Sequence, residues 1–199
     1  YNGDARAGFD WASSAEVNQA PSDKNGNALF LNNDGWVRAL WRGGEIVNRI
    51  EVDMWVKPQA EQYYPYPRLF CHFDKINLMM LRDYAAGIEG MPSLWFDVMG
   101  KKTSTLPLLT EKWNHITARY DALGGENNLS LTVENDAIST TTAITGGNVP
   151  IQMISDNMIF AIGSDMGWSN SFEGEIDDFR LKTDFDKPVS TAKQWFYFE

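Results

Sequence analysis

Trp113-Asn114-His115-Ile116-Thr117-Ala118-Arg119-Tyr120-Asp121 is the stretch whose pattern decides the fold. Ile116, Ala118 and Tyr120 fall on one parity, and Thr117, Arg119 and Asp121 fall on the other. A period of two with one dry side and one wet side belongs to a strand in an antiparallel sheet packed on one face. A few residues on, Leu129, Leu131 and Val133 alternate in the same way with Ser130, Thr132 and Glu134. Outward from this pair, turn signals punctuate the chain at Asn25-Gly26-Asn27, Asp34-Gly35, Gly43-Gly44, Gly124-Gly125, Gly146-Gly147-Asn148 and Met166-Gly167. The runs between them, rich in β-branched and aromatic residues, predict strands over 28–32, 36–40, 46–57, 68–74, 94–98, 113–121, 129–134, 159–163 and 175–182. Residues 76–86 have helical propensity but also Asn, Asp and the adjacent pair Met79-Met80, which favours strand; 150–158 reads as a short helical turn. With no repeat, low-complexity tract or long linker, the 199 residues predict a single domain over 1–199. Its class is all-β, an antiparallel sandwich of two sheets.

Composition narrows the partners. A formal net charge of −10 repels phosphate backbones and anionic headgroups, which argues against nucleic acid and membrane surfaces. It suits neutral or cationic partners, or a hard cation such as calcium, although solubility alone accounts for many acidic surfaces. No apolar run reaches the roughly 18 residues of a membrane span, so no insertion is expected. Cys71 is the sole cysteine, which rules out an internal disulfide; in Leu69-Phe70-Cys71-His72-Phe73 it reads as packing. The chain begins without Met or a charged-then-apolar leader, as expected of a mature or excised domain. Aromatic residues make up 13%, eight of them Trp, enough to fill a core and leave rings for the surface.

Three stretches together resemble the laminin-G-like, concanavalin-A-like jelly-roll superfamily. Ala28-Leu29-Phe30-Leu31 with Asn33-Asp34-Gly35-Trp36-Val37 is similar to its early strand pair around a tight turn. Ile50-Glu51-Val52-Asp53-Met54-Trp55-Val56-Lys57-Pro58 resembles its strand ending in Trp-Val-Lys-Pro. Residues 113–121, then Ile162-Gly163 and Phe172-Glu173-Gly174-Glu175-Ile176-Asp177-Asp178-Phe179-Arg180, resemble its two most recognisable later strands. The resemblance implies two curved antiparallel sheets and an extracellular or secreted setting. It leaves function open, because lectins, carbohydrate-binding modules, adhesion domains and glycanases share the fold.

Glu173, Glu175, Asp177 and Asp178 form the densest carboxylate cluster, and an unbroken strand would turn the first three to one side. Retaining glycosidases need two carboxyls about 5–5.5 Å apart, one of them kept protonated. Jelly-roll glycanases resemble Glu-x-Asp-x-x-Glu or Glu-x-Asp-x-Glu; here Phe179 and Arg180 stand where the acid belongs, so no catalytic residue is expected. The Asn32-Asn33-Asp34-Gly35 turn supplies oxygens suited to calcium. The resemblance implies that an Asp of the late Ile-Asp-Asp stretch lies near the early strands, which makes Asp34 with Asp177 or Asp178 a candidate structural calcium site. Otherwise Asp34 builds its turn, and Asp177 and Asp178 cap or solvate a strand. His72 and His115 are too few for a zinc site, and His115 reads as structural. No nucleophile elbow or phosphate-binding glycine loop occurs.

Two aromatic loops carry the functional expectation. Tyr63-Tyr64-Pro65-Tyr66-Pro67 is stiffened by two prolines and followed by Arg68; Met166-Gly167-Trp168-Ser169-Asn170 sits among small polar residues. Sugars present apolar C–H faces and equatorial hydroxyls, so rigid rings beside polar side chains suit them. Tyr63, Tyr64, Tyr66 and Trp168 are expected to stack on an oligo- or polysaccharide, with Arg68, Asp165 and Asn170 hydrogen bonding. The expected protein is a non-catalytic carbohydrate-binding module needing no cofactor beyond a structural calcium, tethered to other domains of a larger extracellular protein. A protein-binding adhesion domain and a jelly-roll glycoside hydrolase or polysaccharide lyase are the rivals.

Overall fold

Nearly every predicted strand forms, and several more join it. The structure, a computed structural model, describes residues 9–11, 15–19, 27–32, 35–41, 46–72, 75–82, 84–85, 88–89, 91–152, 158–165 and 169–183. The first strands are β1 (Phe9–Trp11), β2 (Ala15–Gln19), β3 (Asn27–Leu31), β4 (Val37–Trp41), β5 (Ile46–Val47) and β6 (Arg49–Pro58). Next come β7 (Arg68–His72), β8 (Ile76–Leu81), β9 (Tyr84–Ala85), β10 (Ile88–Glu89), β11 (Ser93–Val98), β12 (Lys101–Lys102) and β13 (Leu106–Pro107). The chain continues through β14 (Asn114–Asp121), β15 (Leu129–Glu134), β16 (Ser139–Ile144), β17 (Ile151–Gln152), β18 (Met158–Ile162) and β19 (Gly174–Thr183). Residues 76–81 are strand, as their Asn and crowded apolar pair favoured. The helical turn expected over 150–158 is corrected in part: Ile151 and Gln152 pair with Val47 and Ile46 as a short ribbon. No described residue is helical, and no helix is long and apolar enough to cross a membrane.

Two antiparallel sheets make the sandwich. One has eight strands in the order β1-β4-β18-β7-β8-β11-β12, with β13 also paired to β11; the other has seven, β16-β15-β14-β6-β19-β3-β2. Their dry parities meet. Ile116, Ala118 and Tyr120 of β14 and Leu129, Leu131 and Val133 of β15 are all fully buried. Phe179 of β19 reaches across to the other sheet, with ring centroids 5.8 Å from Phe70 and 6.3 Å from Phe160. Burying such side chains contributes roughly 1.5–3 kcal/mol each, enough to make the shared interior the main source of cohesion.

The last strand departs from strict alternation. Asp177 lies opposite Trp55, and the next paired residue, Arg180, lies opposite Asp53, so β19 carries one residue more than β6 over this interval. Asp178 takes a positive φ of 50° at this bulge. The extra residue restores Phe179 and Leu181 to the core and sends Arg180 and Lys182 outward, while Glu175 and Asp177, opposite Lys57 and Trp55 ahead of the bulge, keep the same parity. Just before this strand, Gly174 has φ 152°, and a Cβ there would collide with the carbonyl of Lys57 and the ring of Phe172, so only glycine fits.

Candidate functional site

The tyrosine-rich loop joins β6 to β7 and is held along its length. Gln62, only 5% exposed, reaches Glu173 with its side-chain amide: its Nε2 donates to the Glu173 carbonyl, and its Oε1 accepts the Glu173 N–H at 2.9 Å. Arg82 Nη1 donates to the carbonyls of Gln62 and Tyr63, each at 3.1 Å. The N–H groups of Met80 and Arg82 donate to the carbonyls of Pro67 and Pro65 at 2.8 and 3.1 Å. This anchored backbone projects Tyr63, 75% exposed, and Tyr66, 47% exposed; Tyr64 is half-buried, edge-on to Tyr63 with centroids 4.9 Å apart.

The second loop converges on the first. The Arg68 N–H donates to the Asn170 carbonyl at 2.9 Å, and Arg68 forms a parallel bridge with Ser171. Asp165 builds the turn: its carboxylate accepts the Ser169 N–H at 2.9 Å, the Ser169 hydroxyl at 2.8 Å and the Asn170 amide Nδ2 at 2.8 Å. Asp165 and Asn170 are thus adjacent as expected, but these bonds hold the loop rather than reach outward. Trp168 and Asp34 lie outside the described residues.

Beside Tyr66 stands Trp95, which sequence reasoning missed. Leu94, Phe96 and Val98 are core, while Trp95 is half-exposed; its ring lies 6.5 Å from Tyr66 at 70°, with Lys102 Nζ 5.7 Å above it. A Trp at the wet parity of 94–98 was the available signal. Gln62 and Arg82 gave no local signal, because their partners lie on other segments.

A second charged group covers the outer face of the seven-stranded sheet. His115 Nε2 lies 3.1 Å from Asp53 Oδ2 and Nδ1 lies 3.4 Å from Glu134 Oε2, while the ring stacks on Trp55 at 5.0 Å. Both ring nitrogens face carboxylates, so the imidazolium satisfies both; the Asp53 bond, more than any other effect, raises the His115 pKa above its ordinary value. Burial pushes Asp53 upward, but hydrogen bonds from His115 and Thr117 outweigh it and hold the carboxyl below its ordinary value. Glu175 pairs with Lys57 at 2.8 Å, and Glu51 accepts from Arg119 at 2.6 Å and Lys182 at 2.8 Å.

The calcium expectation fits poorly here. Both oxygens of Asp178 are taken by Arg180 Nη2, at 2.7 and 2.6 Å, and Asp177, 6% exposed, accepts the Asp178 N–H at 2.7 Å. A carboxylate already matched by a guanidinium is a weak cation ligand. Among the described residues, no three His, Cys, Asp or Glu side chains gather as a metal set.

No protein-family model and no curated protein matches the chain. Solved structures do. Domain 4 of AbnA, a GH43 extracellular arabinanase from Geobacillus stearothermophilus in complex with arabinotriose, is 21% identical over 85% of this chain and 75% of that one, with a TM-score of 0.54. The enzymatically active domain of tailspike protein 2 from bacteriophage CBA120 is 14% identical, with a TM-score of 0.63 over 88% of this chain but only 28% of that one. Winged bean acidic lectin, complexed with methyl-α-D-galactose, is 10% identical over 88% of this chain and 92% of that one, with a TM-score of 0.50. At such identities the likeness establishes the fold. The chain is a two-sheet antiparallel β-sandwich, with the jelly-roll architecture that these structures share.

Proposed function

We propose that the chain is a non-catalytic carbohydrate-binding module of a larger extracellular protein, taking an oligo- or polysaccharide at the rim where the two loops meet. The observation that carries this reading is the display of Tyr63 and Tyr66, 75% and 47% exposed, on a backbone fixed by Gln62 and Arg82. Rings held in place lose little freedom when a sugar stacks on them. Trp95 extends the platform, and Trp168 belongs to the converging loop. The arabinotriose and galactoside in the solved neighbours support a sugar ligand, and an arabinanase domain as neighbour supports tethering to a larger protein. The non-catalytic role is supported by the pairing of Glu175 with Lys57 and of Asp178 with Arg180, which engages both carboxylates with cations.

A glycan array, run with calcium and with chelator, tests the binding reading: saturable binding to a defined glycan set is expected. Absence of glycan binding together with capture of a protein ligand would favour the adhesion domain. Reducing-end release from a polysaccharide panel, abolished in Glu175→Gln, would overturn the non-catalytic assignment.

A further inference from the structure

The outer face of the eight-stranded sheet beside the rim has an unexpected charge. On β7, β8, β11 and β12 the described charged side chains, apart from the buried His72, are Arg68, Asp97, Lys101 and Lys102. Lys101 pairs with the core residue Val98 and so has the inner parity, which leaves two cations, Arg68 and Lys102, to one carboxylate on the outer face, the reverse of a chain whose net charge is −10. Register gathers them: Arg68 and Trp95 both pair with Met79, and Asp97 pairs with Lys102. The lone carboxylate is poorly placed to neutralise its neighbours. Asp97 is 7% exposed and accepts the Gly100 N–H at 2.8 Å, while Lys102 Nζ stands off at 3.9 Å. On the opposite sheet the Lys57–Glu175 and Arg119–Glu51 pairs close to 2.8 and 2.6 Å. Burial raises the Asp97 pKa despite the Gly100 bond and the charges of Lys102 and Arg68, as expected of a weakly solvated counter-ion. The side chain of Lys102 is 56% exposed and Lys101 beside it is exposed.

We propose that the glycan recognised at this rim is acidic, a chain carrying carboxylates such as a uronan, with a sugar ring on Tyr66 and a ligand carboxylate on Lys102. This rests on the carbohydrate-binding reading above. A charge-assisted hydrogen bond from an exposed ammonium to a ligand carboxylate is shorter and stronger than the loose contact Lys102 makes with Asp97. Stacking and charge then act side by side, because Lys102 stands over the Trp95 ring, which in turn lies 6.5 Å from Tyr66.

The test is titration calorimetry of the intact chain with polygalacturonate and alginate against neutral linear arabinan and galactan, at low and high salt. The acidic polymers should bind more tightly, lose affinity as salt rises, and weaken about fivefold to tenfold in Lys102→Gln while Lys102→Arg keeps most of the binding. Equal or tighter binding of the neutral polymers, unaffected by Lys102→Gln, overturns the acidic class and leaves the carbohydrate-binding reading standing. No binding to any of the four polymers, with an unchanged melting temperature, overturns both.

Discussion

The rim loops and the outer face of the seven-stranded sheet both display aromatic rings among polar side chains, yet the rings are in different conditions. On the sheet, Trp55 is stacked by His115 at 5.0 Å, and Lys57 Nζ lies 6.0 Å over Trp113. At the rim, Tyr63 and Tyr66 meet other rings near-perpendicularly, at 85° and 70°, and remain 75% and 47% exposed. A ring whose face already has a partner contributes to cohesion, whereas an uncovered one on fixed backbone is suited to recognition. The difference lies in the neighbours, not in the residue type.

The largest effect should come from removing what both regions stand on. Phe179→Ala should cost about 3–5 kcal/mol, read as a lower denaturation midpoint, and should weaken rim and sheet together. A loss below about 1 kcal/mol would mean that the sheets are not coupled through this ring. Next, Tyr66→Ala should reduce affinity for the bound glycan by at least about 1 kcal/mol with the melting temperature nearly unchanged, while Trp55→Ala should lower stability and leave affinity alone. Exchange of those two outcomes would break the comparison outright.

Smaller still is the proton dependence of the sheet face. The folded His115 pKa is raised, so its stabilisation is complete below about pH 6.5, the ordinary histidine value, and fades as pH rises through the folded value. For a half-buried pair the contribution should be about 1 kcal/mol or less, and urea melts of His115→Gln across this window should lack that slope. An identical slope in the variant would assign it to another group. The smallest effect concerns calcium: with Asp178 matched by Arg180, melting temperatures in calcium and in chelator should coincide, and a clear rise with calcium would restore Asp34 and Asp177 as ligands.

Much of the sandwich was legible because alternation records which face is dry. The Thr-rich β16 was not, since Ser139-Thr140-Thr141-Thr142-Ala143-Ile144 has no buried face to impose a pattern. The candidate site was legible as two separate loops, through their prolines, small residues and aromatics. Their meeting was hidden, because Gln62 and Glu173 join across 111 positions and local sequence does not encode such a contact. Net charge misled for a related reason: it sums over the surface, whereas Arg68 and Lys102 share one local face.

The bulge in β19 also constrains how this protein can change. Deleting the extra residue at Asp178 would leave Phe179 opposite Met54 and Arg180 opposite Asp53, whereas deleting Leu181 would reverse the end of the strand and slide Lys182 opposite Val52, toward the oily interior. Neighbouring turns can lengthen or shorten without such a reversal. In descendants of this sequence the final strand should therefore change length at the bulge alone, and elsewhere only by replacement.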